Sequence, residues 1–122
     1  MKYIVAIIRP EKLGVIREAL RGSEIFLMTV SNVRGCGMQQ GRAIEVFQAH
    51  TRKAELLPKI KLEIAVNDAF VEPTINTLVL HGRTGDGEIG DGKIFILPLE
   101  QCVRIRTGET GSIAIGPRED DW

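Results

Sequence analysis

Apolar positions along this chain recur at two spacings, one suited to strands and one to helices. Residues Tyr3 to Ile8 (YIVAII) are almost wholly apolar, which predicts a strand covered on both faces or buried in an assembly. Pro10 stands where a helix can begin, and Leu13, Val15, Ile16, Ala19 and Leu20 carry helical spacing through Arg21, with Gly22 as the stop. A second strand is expected from about Ile25 to Arg34, a stretch rich in Val, Thr and Phe. Residues Gly35 to Leu57 break the pattern with weak alternation and no core-sized apolar run. A loop of that length is usually functional or mobile.

After Pro58 the segment KIKLEIAV alternates, with Ile60, Leu62, Ile64 and Val66 on one face and Lys59, Lys61, Glu63 and Ala65 on the other. Asn67-Asp68 offers capping chemistry for a second helix through Val71, Ile75, Leu78 and Val79, which requires Pro73 in the first turn. A glycine-rich loop, 82-GRTGDGEIGDG-92, precedes a fourth strand from Ile94 to Leu97. Val103 to Thr107 is read as a short fifth strand. The order strand, helix, strand, long loop, strand, helix, strand predicts an α+β, ferredoxin-like βαββαβ domain over residues 1–112. Residues 113–122 are expected to form a poorly ordered tail.

Composition narrows the partners. The chain has 122 residues, fitting one domain, and its 16 Lys and Arg balance 16 Asp and Glu. That balance argues against nucleic acid as a ligand, which usually selects a basic excess. No apolar run is long enough to cross a bilayer, so membrane insertion is not expected. The N-terminal apolar run has no small-residue cleavage site and suits a strand better than a signal peptide. Two cysteines, Cys36 and Cys102, are too few for a disulfide scaffold or a zinc site, and are read as reduced, packing thiols of a cytoplasmic protein. His50 and His81 have no metal-ligand neighbour at useful spacing.

The chemistry concentrates at Gly90-Asp91-Gly92-Lys93 and Arg104-Ile105-Arg106. Glycines let backbone N–H groups approach a ligand, and a run of such groups forms an anion-binding concavity. Lys93 adds a point charge. Two arginines two residues apart on a strand share a face and suit phosphate oxygens. An ordinary turn followed by two solvated arginines fits the same residues. The Gly-x-x-x-x-Gly-Lys-Ser/Thr loop and the dinucleotide fingerprint are both absent.

Several stretches together resemble one family. RTG…GDGKIF followed by VRIRTGE, the opening KYIVAIIRPEKLGVIREAL, and TVSNVRGCGMQQG…LPKIKLEIAV are similar to the signatures of the PII nitrogen-regulatory signal proteins, from Met1 to about Gly111. The resemblance implies a homotrimer that is not a metabolic enzyme. It would bind ATP or ADP in clefts between subunits, many members adding 2-oxoglutarate beside a magnesium ion on the ATP. A loop matching residues 37–57 would touch the regulated partner protein, whether a transporter, an enzyme or a regulator. By the same resemblance Gly90, Asp91, Gly92, Lys93, Arg104 and Arg106 hold the phosphates. Thr29 and the backbone of Glu63, Ile64 and Ala65 lie at the adenine, and Gly35, Gly37 and Met38 border the ribose and phosphates. Gln39 and Lys59 match effector-binding positions, Gln39 being the one candidate side chain for the magnesium.

The sequence also departs from the family pattern. Met38 stands where arginine is common, which weakens or reshapes triphosphate binding and brings in a PII-like sensor of inorganic carbon (bicarbonate) as an alternative. Residues 42–57 contain neither tyrosine nor serine, so the covalent switches of the family loop have no acceptor there. The segment between Arg83 and Gly90 carries about two extra residues, with Asp86-Gly87 as the insertion. The rival from another class is a slow ATPase, for which Asp91 is the one acid placed near phosphate and no nucleophile–base pair is evident.

Overall fold

The computed structural model describes residues 1–23, 25, 27–36 and 56–116. The expectations for Gly37, Met38, Gln39, most of the long loop and residues 117–122 fall outside them. Among the described residues the chain runs through β1 (Lys2–Ile8), a 3₁₀ turn (Pro10–Lys12), α1 (Leu13–Gly22), β2 (Thr29–Gly35) and β3 (Leu57–Val66). A second 3₁₀ turn (Asp68–Phe70), α2 (Val71–Gly82), β4 (Gly92–Pro98) and a single helical turn, α3 (Ser112–Ile115), follow. The four strands form one antiparallel sheet in the order β2-β3-β1-β4. This is the ferredoxin-like arrangement that the order of elements predicts.

Alternation decides which face of the sheet is covered. Ile4, Ala6 and Ile8 of β1 and Ile60, Leu62, Ile64 and Val66 of β3 are buried. They form one cluster with Ile16 and Leu20 of α1 and Leu78 of α2. Gly82 lets α2 approach α1 closely, since a Cβ there would stand 3.6 Å from Ile16 Cδ1. The other face carries Tyr3, Val5, Ile7, Ala65, Phe95 and Leu97, with the two β4 residues close to half exposed. Within one chain nothing described covers that apolar face.

Several boundaries differ from the pattern-based reading, each for a local reason. β2 starts at Thr29 because Ile25 is used elsewhere: its side chain is buried and its N–H closes the end of α1 on the Leu20 carbonyl at 2.9 Å. β3 includes Pro58, which is tolerated because β1 pairs only as far as Ile60 and leaves β2 as the sole neighbour there. Asn67 and Asp68 make no side-chain cap; Asn67 donates to the Ser112 carbonyl at 3.1 Å and Asp68 meets the Met1 amino group at 2.8 Å. Pro73 does lie in the first turn of α2. β4 starts two residues early, Gly92 and Lys93 pairing with Ile8 and Ile7. The fifth strand is absent: Val103 makes one bridge to Thr110, and Arg104 N–H to Glu109 O (2.8 Å) with Gly108 N–H to Arg104 O (2.7 Å) close a tight loop. The shared-face argument for Arg104 and Arg106 therefore does not hold. Residues 113–116 are not loose either, because Arg104 donates to the carbonyls of Ile113 (3.0 Å) and Gly116.

The glycine-rich loop is ordered from inside. Arg9 follows the last residue of β1 and is buried. Its Nε donates to Asp91 Oδ1 at 2.9 Å and its Nη2 to the Ile89 carbonyl at 3.0 Å. Asp91 Oδ2 accepts the backbone N–H groups of Thr84 (3.0 Å) and Glu88 (2.8 Å). Burial alone would raise the Asp91 carboxyl, but these amides and the guanidinium outweigh it and hold it well below the usual carboxylate range. Asp86 and Gly87, expected to be an insertion, lie in a turn closed by Gly87 N–H on the Thr84 carbonyl at 2.9 Å. Gly92 ends the loop at φ +108°, where a Cβ would sit 1.7 Å from the Ile7 carbonyl oxygen. Glycine at 92 is thus demanded by β1 before any ligand is considered.

This construction sets the expected effects of three substitutions. Gly92→Ala should cost roughly 2–4 kcal/mol by denaturant unfolding. Gly14→Ala, in open space near the start of α1, should be neutral or stabilise by up to about 1 kcal/mol. Asp91→Asn should cost roughly 2–4 kcal/mol at neutral pH, because it removes the nearer partner of the buried Arg9 charge and leaves only the longer 3.7 Å contact to Glu88. Since the folded-state pKa of Asp91 is depressed, its contribution is complete above the unfolded carboxyl value of about 3.9 and fades as pH falls below it. The stability gap between wild type and Asp91→Asn should therefore narrow in acid; a gap independent of pH would contradict the ion pair's role.

Candidate functional site

The loop that Arg9 and Asp91 build forms one wall of an open cleft of about 570 Å³. Gly90, Gly92 and Lys93 line it from the loop and the start of β4, Gly35 and Cys36 from the end of β2, and Lys59 from β3. Lys59 is 9% exposed and donates from Nζ to the Gly90 carbonyl at 2.8 Å. Burial lowers its pKa, and the nearby Arg9 charge adds to the effect. A desolvated cation beside a second cation gains from an arriving anion. Gly35 leaves the space across which the Lys59 stem lies, a Cβ there standing 3.4 Å from Lys59 Cγ. Lys93 is exposed at the mouth of the cleft. Five of the sequence-derived phosphate and effector positions, Gly35, Lys59, Gly90, Gly92 and Lys93, thus meet in one place. Asp91 also lines the cleft, but its carboxylate already accepts three hydrogen bonds from the protein. Its part is to shape the loop.

A second, open cavity of about 380 Å³ lies toward the other end of the sheet. Thr29 and Glu63 are cross-strand partners, and both line it together with Ala65, Tyr3, Met28 and Ile115. Ile64 turns its side chain into the core, leaving only its backbone near this cavity. Tyr3 donates its hydroxyl to Glu63 Oε2, and Lys61 Nζ stands 3.6 Å from Glu63 Oε1. The Tyr3 hydrogen bond is the leading reason that the Glu63 carboxyl is held below its usual range, while the same bond pushes the Tyr3 phenol up.

Ile7 borders the first cleft and Tyr3 the second, four residues apart on β1. At a strand's rise the two lie about 14 Å apart. Arg104 and Arg106 line neither. The Arg104 guanidinium is turned toward the 113–116 carbonyls and stands 3.4 Å from the Glu109 carboxylate. Cys36 is exposed in the first cleft rather than packed; Cys102, half-buried, lines the second.

Sequence reasoning missed Arg9 and Tyr3. A sign of Arg9 was available: a charge directly after a strand that ends in the core needs a buried partner. Tyr3 gave no sign of its own, because a single aromatic in an apolar run reads as packing.

Comparison with known proteins agrees with this fold. The family model "Nitrogen regulatory protein P-II" matches residues 1–109. The nitrogen regulatory protein GlnK1 of Methanosarcina mazei is 50% identical over 115 residues, covering 94% of this chain and 97% of that protein. The nitrogen regulatory protein P-II of Nostoc punctiforme is 47% identical over 115 residues, covering 94% of this chain and all of its own. Among solved structures, the PII protein of Arabidopsis thaliana bound to citrate superposes with a TM-score of 0.75 at 37% identity, covering 98% of this chain and 93% of that one. The chain belongs to the nitrogen regulatory protein P-II family.

Proposed function

We propose that this P-II family protein is a homotrimeric signal-transduction protein that binds ATP or ADP in clefts between subunits. Together with a small-acid effector, the nucleotide controls a partner protein through residues 37–57. The observation that carries the reading is the meeting of Lys59, Lys93 and the Gly90–Gly92 loop at the base of that segment. Two cations and a glycine-rich stretch of backbone suit the phosphates of a nucleotide. Magnesium would travel with ATP. The Arabidopsis neighbour was solved with citrate bound. A small polycarboxylate of that kind is what a desolvated Lys59 suits as the effector.

The trimer explains three features that one chain leaves open. The sheet face around Val5, Ile7, Phe95 and Leu97 is apolar and bare, which favours burial against copies of itself. The phosphate-type cleft and the Thr29–Glu63 cavity lie at different ends of β1, so apposed subunits could bring one of each together. Arg104 and Arg106 line neither, so their expected role at phosphate would be played across a subunit boundary.

Met38 keeps a second effector in view: a PII-like response to bicarbonate in place of 2-oxoglutarate. A slow ATPase is the alternative from another class.

Calorimetry with ATP and ADP tests the central reading, and absence of binding to both at millimolar concentration would end it. Lys93→Ala or Arg106→Ala should weaken ATP by roughly ten- to a hundredfold, the loss of one charge-assisted hydrogen bond; unchanged affinity in both would mean the phosphates sit elsewhere. Repeating the ATP titration with 2-oxoglutarate and then with bicarbonate identifies the effector, the true one being the addition that tightens ATP. Sedimentation of nucleotide-free protein should give a trimer, and a stable monomer would contradict the covered sheet face.

A further inference from the structure

The Thr29–Glu63 cavity contains the hydrogen bond from the Tyr3 hydroxyl to the Glu63 carboxylate. Leu27, Met28 and Ile115 give it apolar walls, and among the described residues Glu63 is the one carboxylate that lines it. An apolar slot with a single oriented polar group is the usual form of a site for a flat heteroaromatic ring. An ionised carboxylate can only accept hydrogen bonds. It therefore favours a ring bearing an exocyclic amine over the same ring bearing a carbonyl at that position.

What the cavity selects then depends on Glu63 staying ionised and aimed. Its Oε2 takes the Tyr3 hydroxyl. Its Oε1 faces the Lys61 ammonium at 3.6 Å, a longer and more exposed contact. Tyr3 stands across from Ala65 in the β1–β3 ladder, one strand over from Glu63 on the same open face. The phenol therefore reaches the carboxylate from a rigid part of the sheet, whereas Lys61 reaches it on a flexible stem. A hydroxyl that donates to a carboxylate fixes its plane and leaves its other lone pairs for a ligand.

We propose that Tyr3 is the positioning residue of the base-binding cavity. It holds Glu63 as an oriented acceptor, so that the site takes a 6-aminopurine and discriminates against a 6-oxopurine. The proposal rests on the reading of this protein as an adenine-nucleotide binder and names the residue that sets its base specificity. Tyr3 itself need not touch the base.

The test uses full-length protein and two nucleotides with the same phosphates, ATP and ITP, titrated at pH 7 against wild type, Tyr3→Phe, Glu63→Gln and the double variant. Wild type should favour ATP over ITP. Tyr3→Phe should reduce that preference about tenfold, through weaker ATP binding with little change for ITP. Glu63→Gln should reduce it at least as far. In the double variant Tyr3→Phe should add nothing further, because the group it positions is already gone. A general loosening of the fold would weaken ATP and ITP alike, and that parallel loss would overturn the proposal. An undiminished preference in Tyr3→Phe would overturn it too, as would fully additive effects of the two substitutions. Failure of wild type to bind either nucleotide would instead remove the nucleotide reading on which the proposal stands.

Discussion

The structure depends most on one buried ion pair, that between Arg9 and Asp91. Arg9 is placed by β1, whose core-facing residues end at Ile8. Asp91 gathers the guanidinium and the Thr84 and Glu88 amides into one carboxylate. This pair fixes the loop between α2 and β4 against the central strand. With the loop fixed, the Gly90 carbonyl lies where Lys59 can reach it, and Gly92 enters β4 directly over the Ile7 carbonyl. Buried charge of this kind is costly unless fully paired and hydrogen-bonded. Here the cost is offset by the three hydrogen bonds that the Asp91 carboxylate accepts.

The topology could be read from the sequence, because its signals are local and periodic. The alternation of KIKLEIAV and the helical spacing around Ile16 and Leu20 each report one buried face, and the buried set matches them. The misjudged boundaries are those set by a neighbouring element. Ile25 has strand chemistry, yet α1 needs its N–H and its side chain. Gly92 and Lys93 read as loop, yet β1 is long enough to pair with both. The 103–107 stretch alternates like a strand, yet no strand lies beside it and Gly108 at φ +76° turns the chain back.

The site was legible where glycines and lysines cluster in sequence, and it was not legible where its parts meet across the sheet. Gly90, Gly92 and Lys93 point to an anion within four residues, and the structure sets all three on one cleft. Arg9 and Asp91 are 82 residues apart, so their pairing follows from the β1–β4 ladder and from no motif. Tyr3 and Glu63, 60 residues apart, meet through the β1–β3 ladder in the same way. The arginine pair shows the converse: close in sequence, the two residues occupy different surroundings, Arg104 half-buried against the 113–116 carbonyls and Arg106 exposed.

The bonds that build the loop also limit its chemistry. Hydrolysis of a phosphoanhydride needs a group that can orient or deprotonate water, at hydrogen-bond reach and with a matched pKa. Of the two described carboxylates that line the cleft, Asp91 has its oxygens committed to Arg9, Thr84 and Glu88, and Glu88 stands 3.7 Å from the Arg9 guanidinium. The depressed pKa of Asp91 further makes it a poor base. Lys59 and Lys93 can neutralise charge and cannot accept a proton while they do so. What the described part of the cleft offers an anion is recognition: cations for its charge, and backbone for close approach. On the proposed function, the binding free energy of a nucleotide in this cleft would be available to bias one arrangement of the adjoining 37–57 segment over another. It does so only to the extent that the ligand contacts differ between those arrangements. Lys59 lines the cleft from β3, and Gly35 and Cys36 line it from the end of β2. They flank both ends of that segment, so a ligand seated between them would touch both of its anchors.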